Sequence, residues 1–194
     1  MTKIITFWVM IIMINVSATA AELLITTENN HEREYRTGAV IQEFTESHDV
    51  SKWMFTSKLH VDIRAIPHSH PVLTLHTRHL EKPYLLYSTF IHEQIHWHLD
   101  ANHDADMAAR ADLAKLLGPA KVGYPYGSPD ESATYLHVLV CYLEIDAMKQ
   151  IFGNKKADEL LNYWKTDHYT WVYEQVDTHA DAIAEIIDRH GLRL

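Results

Sequence analysis

Apolar and polar positions follow two different periods along this chain, and the change falls near residue 80. Residues 22–37 are polar and mixed, which indicates a lead-in segment. Between residues 38 and 78 apolar positions tend to alternate with polar ones, first around Val40 and most clearly around Leu59, and residues 72–76 resume the pattern. A period of two is typical of half-buried strands and predicts a small antiparallel sheet of about three strands.

From residue 84 onward the apolar positions recur at steps of three and four, which is the period of amphipathic helices. Ser128 is placed as the N-cap of one of these helices, and Glu131 follows at the spacing of a capping box. The expected helices cover residues 84–103, 104–117, 128–153, 156–165 and 167–190. The predicted fold class is therefore α+β, with a small antiparallel sheet followed by a helical region.

The first twenty residues have the layout of a signal peptide. Lys3 precedes an apolar run over residues 4–16, and small residues follow at Ala18 and Ala20. The run is shorter than the roughly twenty residues that a membrane-spanning helix needs. We expect cleavage after Ala20, export to the periplasm or the medium, and no stable membrane insertion afterwards. An uncleaved N-terminal anchor is the alternative, and residues 21–194 are expected to form a single domain.

The composition of the chain narrows the chemistry that it can carry out. The net charge is −9 and no basic cluster occurs, which argues against nucleic acid as a partner. The 15 histidines among 194 residues favour metal chemistry but also raise the chance of accidental histidine motifs. Cys141 is the only cysteine, so no disulfide can form within the chain, and its apolar surroundings predict a buried, inert thiol.

The string H-E-x-x-H occupies residues 92–96, inside the first predicted helix. His92 and His96 are four residues apart and share one helix face, where both imidazoles can reach one Zn²⁺ at about 2.0 to 2.1 Å. Glu93, beside the first histidine, is placed to accept a proton from an attacking water. The alternative to a metal site is that these histidines are solvated, or are buried in the core with their hydrogen bonds satisfied. The motif predicts a zinc-dependent hydrolase in which Glu93 is the base.

A catalytic zinc of this kind needs a third protein ligand. Glu144 is the best candidate, because it lies in an apolar stretch of a later predicted helix where an unpaired acid is costly. Asp146 is the rival ligand, although it points to a different face. The alternative is that Glu144 binds no metal and is a surface acid or forms a salt bridge with Lys149. His137 is two turns before Glu144 on the same face and is placed to line the same cleft.

An H-E-x-x-H helix, a small sheet before it and an acid on a later helix make the chain resemble the gluzincin branch of the zincin metallopeptidases. The resemblance implies a zincin-like fold and one Zn²⁺ per chain held by His92, His96 and Glu144, with Glu93 as general base. It also implies peptide or protein substrates, which could add as a strand beside residues 72–76. The oligomeric state stays open.

The match to that family is incomplete around the third ligand. Met148 stands where the family has an Asp, and Asp100 is a candidate substitute as the partner of a zinc-bound imidazole. In the family a later His or Tyr often steadies the oxyanion, and His168 is the first choice here, with Tyr169 in reserve. An aromatic packing stripe with an incidental histidine is the alternative.

Two other functions are compatible with the motif. One is an exported, histidine-rich protein that sequesters zinc without turnover, and the other is a zincin fold that has lost hydrolysis and serves as a structural partner. Glu93 favours the enzyme, because a pure metal binder has no use for a carboxylate beside its open coordination position. The sequence therefore predicts a zinc metallopeptidase ahead of a metal-binding protein.

Overall fold

The computed structural model of the protein describes residues 23–194. The described residues form seven α-helices and one three-stranded sheet, so the α+β class is confirmed. The expected signal peptide at residues 1–20 lies outside this part of the chain. None of the described helices is both long and apolar enough to cross a membrane.

The sheet contains β1 (Leu24–Thr27), β2 (Lys58–Val61) and β3 (Leu73–Leu75), in that order across the sheet. Both neighbouring pairs are parallel, so the expected antiparallel sheet is wrong. Alternation along a strand reports which side chains are buried, and it is the same whichever way the neighbouring strand runs. The connections set the direction, and the helix α1 (Glu32–Ser47) between β1 and β2 returns the chain to the same end of the sheet.

The helix α1 occupies the region expected to hold a polar lead-in and the first strand. His31 caps its first turn, and the Glu34 side chain completes a capping box. Buried positions then recur at steps of three and four, among them Ile41 and Phe44. The expected strand around Val40 is therefore wrong, because a short run with few apolar positions fits both periods and tertiary burial decides between them.

The second half of the chain is helical, as predicted. Its helices are α2 (Pro83–Ala101), α3 (His103–Leu117), α4 (Glu131–Phe152), α5 (Asn154–Trp164), α6 (Thr170–Thr178) and α7 (Ala180–Arg189). The predicted boundaries differ in two places. Asp130 rather than Ser128 caps α4, and the stretch expected as one helix after residue 167 is interrupted at His179.

The long helix α4 is the centre of the helical region, where it packs against α2, α3, α5, α6 and α7. The consecutive residues Val138, Leu139, Val140 and Cys141 are fully buried, so the burial predicted for the Cys141 thiol is confirmed. A helix with consecutive buried residues is covered on every side. Each fully buried apolar side chain contributes about 1.5–3 kcal/mol to folding, which fixes α4 against its neighbours.

Glu34 is a buried carboxylate that ties the start of α1 to the end of the sheet. It is 0% exposed, and it accepts hydrogen bonds of 2.8 to 3.1 Å from the backbone of Asn29, His31 and Ile63 and from the Asn29 side chain. Burial alone raises the pKa of Glu34, but these donors outweigh it and lower the pKa from 4.5 to about 2. The fold therefore stabilises the charged form.

Replacing Glu34 with Gln should lower the free energy of unfolding by about 1–3 kcal/mol at neutral pH, because a buried acceptor becomes a donor that faces other N–H groups. The folded pKa is below the unfolded one, so the wild-type contribution is present above about pH 5 and is lost as the pH falls toward 2. Urea titrations should show the difference between the two proteins shrinking over that range. An equal effect of Glu32→Gln, a change at an exposed neighbour in the same helical turn, would contradict this role.

Candidate metal centre

Two facing stripes of side chains form a polar cluster between α2 and α4. The stripe on α2 repeats at steps of four residues, and the stripe on α4 at steps of four and three, so each set lies on one helix face. The members are Ser88, His92, His96, His137, Cys141 and Glu144. Ser88 bonds Glu144 at one end and His96 lies against His137 at the other, so the two helices run in opposite directions.

The imidazoles of His92, His96 and His137 converge in this cluster. Their ring centroids are 5.1 Å (His92–His96), 5.6 Å (His92–His137) and 5.1 Å (His96–His137) apart. One ring nitrogen from each lies within 4.8 Å of the others. A tetrahedral ion bound at about 2.0–2.1 Å needs those nitrogens about 3.4 Å apart, so rotation of the side chains has to close any larger separation. The three histidines can therefore hold one metal ion.

Hydrogen bonds determine which nitrogen of a ring can bind a metal. Nδ1 of His92 is 2.9 Å from Oε2 of Glu144. Nδ1 of His137 is 2.7 Å from the backbone oxygen of Ala133 and 2.9 Å from Oγ of Ser128. With Nδ1 engaged in both rings, Nε2 is the nitrogen that each ring presents to a metal.

Glu144 lies behind His92 and is surrounded by donors. It is 1% exposed, its Oε1 accepts a hydrogen bond from Ser88, and its Oε2 accepts one from the Tyr173 hydroxyl at 2.9 Å as well as contacting His92. Ser88 in turn accepts a hydrogen bond from Nε1–H of Trp164 at 2.9 Å. A carboxylate in an apolar helix face needs such partners. This arrangement fixes the orientation of the His92 ring.

A second set of possible metal ligands overlaps the first. His92, Cys141 and Glu144 also bring one ligand atom each within 4.8 Å of the others, and all three residues are buried. A metal at that position competes with the hydrogen bonds that Ser88 and Tyr173 donate to Glu144. Burial also raises the pKa of the Cys141 thiol, which favours its protonated form. The set of three histidines is therefore the less hindered one.

The protonation of the three imidazoles differs. Burial lowers the pKa of His96 well below its usual value and lowers that of His137 to about 3. Both rings are therefore neutral at pH 7, the form in which imidazole binds metals. Burial acts on His92 in the same direction, but the neighbouring Cys141 and Glu144 outweigh it and raise the pKa of His92 well above its usual value. Without a metal this favours the doubly protonated ring, whose Nδ1–H donates to Glu144, so a metal that binds Nε2 has to displace the proton there.

Glu93 lines the same cleft as the three histidines and is 5% exposed. Burial raises the pKa of its carboxyl group to about 7, against the opposing effects of His92 and His68. A carboxyl group that titrates near neutral pH can accept a proton in one step and return it in the next.

An open cleft of about 740 Å³ leads to the cluster. The three histidines, Glu93 and Glu144 line it, together with residues 65–69 between β2 and β3 and with residues 123–125 and 127–129 between α3 and α4. A cleft of this size admits a small molecule or a short stretch of peptide.

His168 and Tyr169, the two expected oxyanion donors, both line this cleft. Nδ1 of His168 is 2.8 Å from the carboxylate of Asp167, which also forms a salt bridge with Arg78. The ring of Tyr169 stacks on that of His137 with centroids 4.3 Å apart, and its backbone has a φ of 53°. A non-glycine residue in the left-handed region costs about 1–3 kcal/mol, so the surrounding packing holds Tyr169 against the cluster.

Two other acidic residues considered from the sequence lie outside the cluster. The Asp100 carboxylate is 72% exposed and lies 3.8 Å from His70, so it pairs with a histidine other than His96. Asp146 accepts a hydrogen bond from Gln150 at 2.9 Å. Neither residue orients a histidine of the cluster.

The outer edge of β3, where a substrate strand was expected to add, is covered at its centre. The N–H of Thr74 donates to the backbone oxygen of His68 at 2.8 Å, and the N–H of His68 donates to that of Thr74 at 3.1 Å. This antiparallel bridge uses both backbone groups that Thr74 would offer to an added strand. Residues 65–69 therefore form the cleft wall in place of an open strand edge.

The groups behind Glu144 were missed by sequence reasoning. Ser88 is one turn before His92 on the same helix face, and this spacing alone could have indicated that Ser88 belongs to the site. Trp164 and Tyr173 carry no local signal, because they come from α5 and α6 and reach the site only through the packing of those helices.

Comparisons of this chain with models of protein families, with curated proteins and with solved structures found no match. The function of the site has therefore to be inferred from its own residues and geometry. Its most specific chemical feature is the set of three histidines beside a buried carboxyl group in an open cleft.

Replacing Ser88 with Ala should lower the free energy of unfolding by about 1–3 kcal/mol, because Glu144 loses a donor and Nε1–H of Trp164 loses its acceptor. Chemical denaturation followed by circular dichroism measures the change. Thr89→Ala is the matched control, since among residues 23–194 the Thr89 hydroxyl bonds only the backbone oxygen of Leu85 in its own helix. Equal stability of the Ser88→Ala protein and the wild type would rule out a structural role for this network.

Proposed function

We propose that the protein is a zinc-dependent hydrolase that cleaves peptide bonds, a metallopeptidase of the zincin type. The observation that carries the proposal is the convergence of His92, His96 and His137 beside Glu93 in an open cleft. Three imidazoles with a fourth position facing a cleft are the donor set of a catalytic zinc, whereas structural zinc sites are closed by four protein ligands.

The third ligand in this proposal is His137, in place of the Glu144 that the gluzincin resemblance implies. The oxygens of Glu144 already accept hydrogen bonds from Ser88 and Tyr173 and contact Nδ1 of His92. A carboxylate on the far nitrogen of a metal-bound imidazole fixes its tautomer and raises its basicity. Glu144 therefore acts as the partner that orients His92, the role for which Asp100 was considered.

Each remaining group has one role in the proposed reaction. Zinc, when bound, lowers the pKa of a water molecule and polarises the substrate carbonyl. Glu93 accepts the proton of the attacking water and returns it to the leaving nitrogen. The oxyanion donor in this proposal is the Tyr169 hydroxyl, since its ring lies against the ligand His137 and its hydroxyl bonds only one side chain among the described residues, that of Ser128, which a substrate can displace. His168, held by Asp167 further along the same cleft, contacts the substrate instead.

Metal ligation can be tested directly. The purified protein should bind one zinc per chain, and His137→Ala should abolish that binding, whereas Glu144→Gln should weaken it about 10- to 100-fold. Inductively coupled plasma mass spectrometry after dialysis and competition with a chromogenic chelator measure the two quantities. His103→Ala, a change at an exposed histidine at the start of α3, is the control. If the His137→Ala protein retains its zinc, the third ligand is Glu144 or Cys141 and not His137.

Catalysis should depend on Glu93 and Tyr169 in different ways. Glu93→Gln should keep its zinc but lower kcat about 10²- to 10⁴-fold, because it removes the base. Tyr169→Phe should lower kcat about 10²-fold with KM little changed, since the lost hydrogen bond forms only in the transition state. A quenched peptide library measures both. Zinc binding without cleavage of any peptide would favour a metal-binding protein without turnover.

A further inference from the structure

Cys141 carries a buried thiol that the proposed mechanism does not use. It lies on α4, one turn after His137 and one turn before Glu144, and it is 0% exposed. Its thiol contacts both the His92 ring and the Tyr173 hydroxyl. These polar neighbours make the thiol a candidate metal ligand, because sulfur, imidazole nitrogen and carboxylate oxygen are all donors that metals accept in proteins.

Three donors of different chemistry meet beside this thiol. One nitrogen of His92, the sulfur of Cys141 and one oxygen of Glu144 lie within 4.8 Å of one another, and all three residues are buried. We call them the inner set, and the three histidines of the metal centre the outer set. An ion that binds such donors at about 2.0–2.3 Å needs them about 3.3–3.6 Å apart, which lies inside this limit.

The charges of the inner set favour a divalent ion. A metal-bound thiol gives up its proton, so Cys141 and Glu144 then carry one negative charge each, beside a neutral imidazole. A divalent ion makes this cluster neutral, whereas a monovalent ion leaves a net charge. An uncompensated charge is costly here, since the two side chains are 0% and 1% exposed. The outer set contributes three neutral nitrogens and no such compensation.

The sulfur decides which divalent ion the inner set prefers. An ion at Oε2 of Glu144 replaces the proton shared with His92 and competes with the hydrogen bond from Tyr173, while the bond from Ser88 to Oε1 can remain. The metal–sulfur bond has to outweigh these costs. Thiolate is a soft donor and binds soft ions such as Cd²⁺ most strongly, whereas imidazole alone lacks this preference.

His92 belongs to both sets, but its ring can serve only one of them at a time. Nδ1 is 2.9 Å from Glu144 and therefore serves the inner set, whereas Nε2 serves the outer one. In a neutral imidazole one nitrogen offers a lone pair and the other carries the proton. An ion on Nδ1 therefore leaves the proton on Nε2 and removes one ligand from zinc.

We propose that the inner set is a second metal position, which takes a soft divalent ion such as Cd²⁺, and that an ion there displaces zinc from the outer set. Occupancy switches the tautomer of His92 and takes Glu144 away as the partner of a zinc-bound ring. Hydrolysis that depends on zinc then stops. The inner position itself depends on three side chains of the fold and not on the proposed peptidase function.

Titration of the zinc-loaded protein with Cd²⁺ tests the proposal. Thiolate bound to Cd²⁺ absorbs in the ultraviolet, and Cys141 is the only cysteine of the chain, so this absorption reports on the inner set alone. It should saturate at one Cd²⁺ per chain, with one zinc released to a chromogenic indicator and an unchanged circular dichroism spectrum. His137→Ala, which removes a ligand of the outer set only, should keep the absorption. Cys141→Ser should lose the absorption and retain zinc.

Zinc release without thiolate absorption would show that Cd²⁺ replaces zinc in the outer set, and it would overturn the proposal. Absorption that saturates at half a Cd²⁺ per chain, or that appears only as the helices unfold, would overturn it too. Should Cys141→Ser fail to fold, the wild-type and His137→Ala spectra decide, since the chain has no other thiol.

The same titration separates this proposal from the proposed function. If the protein binds no zinc and cleaves no peptide, the proposed function fails, and Cd²⁺ is added to the metal-free protein instead. Thiolate absorption at one Cd²⁺ per chain then supports the inner position, and its absence overturns it.

Discussion

The buried carboxylate of Glu144 lies at the centre of the contact between α2 and α4. Its oxygens receive hydrogen bonds from Ser88 and Tyr173 and contact His92, while Trp164 donates to Ser88 from behind. Removing a carboxylate from water costs several kcal/mol unless it is paired in this way. The network therefore stabilises a single arrangement of α2, α4, α5 and α6, and the orientation of the His92 ring follows from it.

The antiparallel contact of two helices explains why three histidines meet. Each helix repeats a polar side chain at steps of three or four residues on its inner face, and His137 reaches His92 and His96 only because α4 runs against α2 in the register that Glu144 fixes. A set of metal-binding side chains on two packed helices is more rigid than one on loops. The loops at the mouth of the cleft lie outside this frame and can change without disturbing it.

Main-chain direction and cleft shape depend on contacts that are distant in sequence. The helix α1 makes the sheet parallel, and the alternation along the strand that follows it does not encode that direction. The bridge between His68 and Thr74 covers the centre of the β3 edge, where a further strand would otherwise pair. Tyr169 adopts a left-handed backbone conformation, which local propensity disfavours and which the packing around His137 holds in place.

The sequence by itself determined the long helices, the α+β class, the burial of Cys141 and the position of H-E-x-x-H on a helix, because these depend on local periods of apolar residues. The sequence did not predict the strand β1 or the helix α1, since residues 24–47 contain too few apolar positions to distinguish a period of two from a helical period. Only the tertiary structure brought His137 to the pair on α2 and placed Glu144 behind His92. Those relations depend on the direction and register of packed helices, which no local pattern encodes.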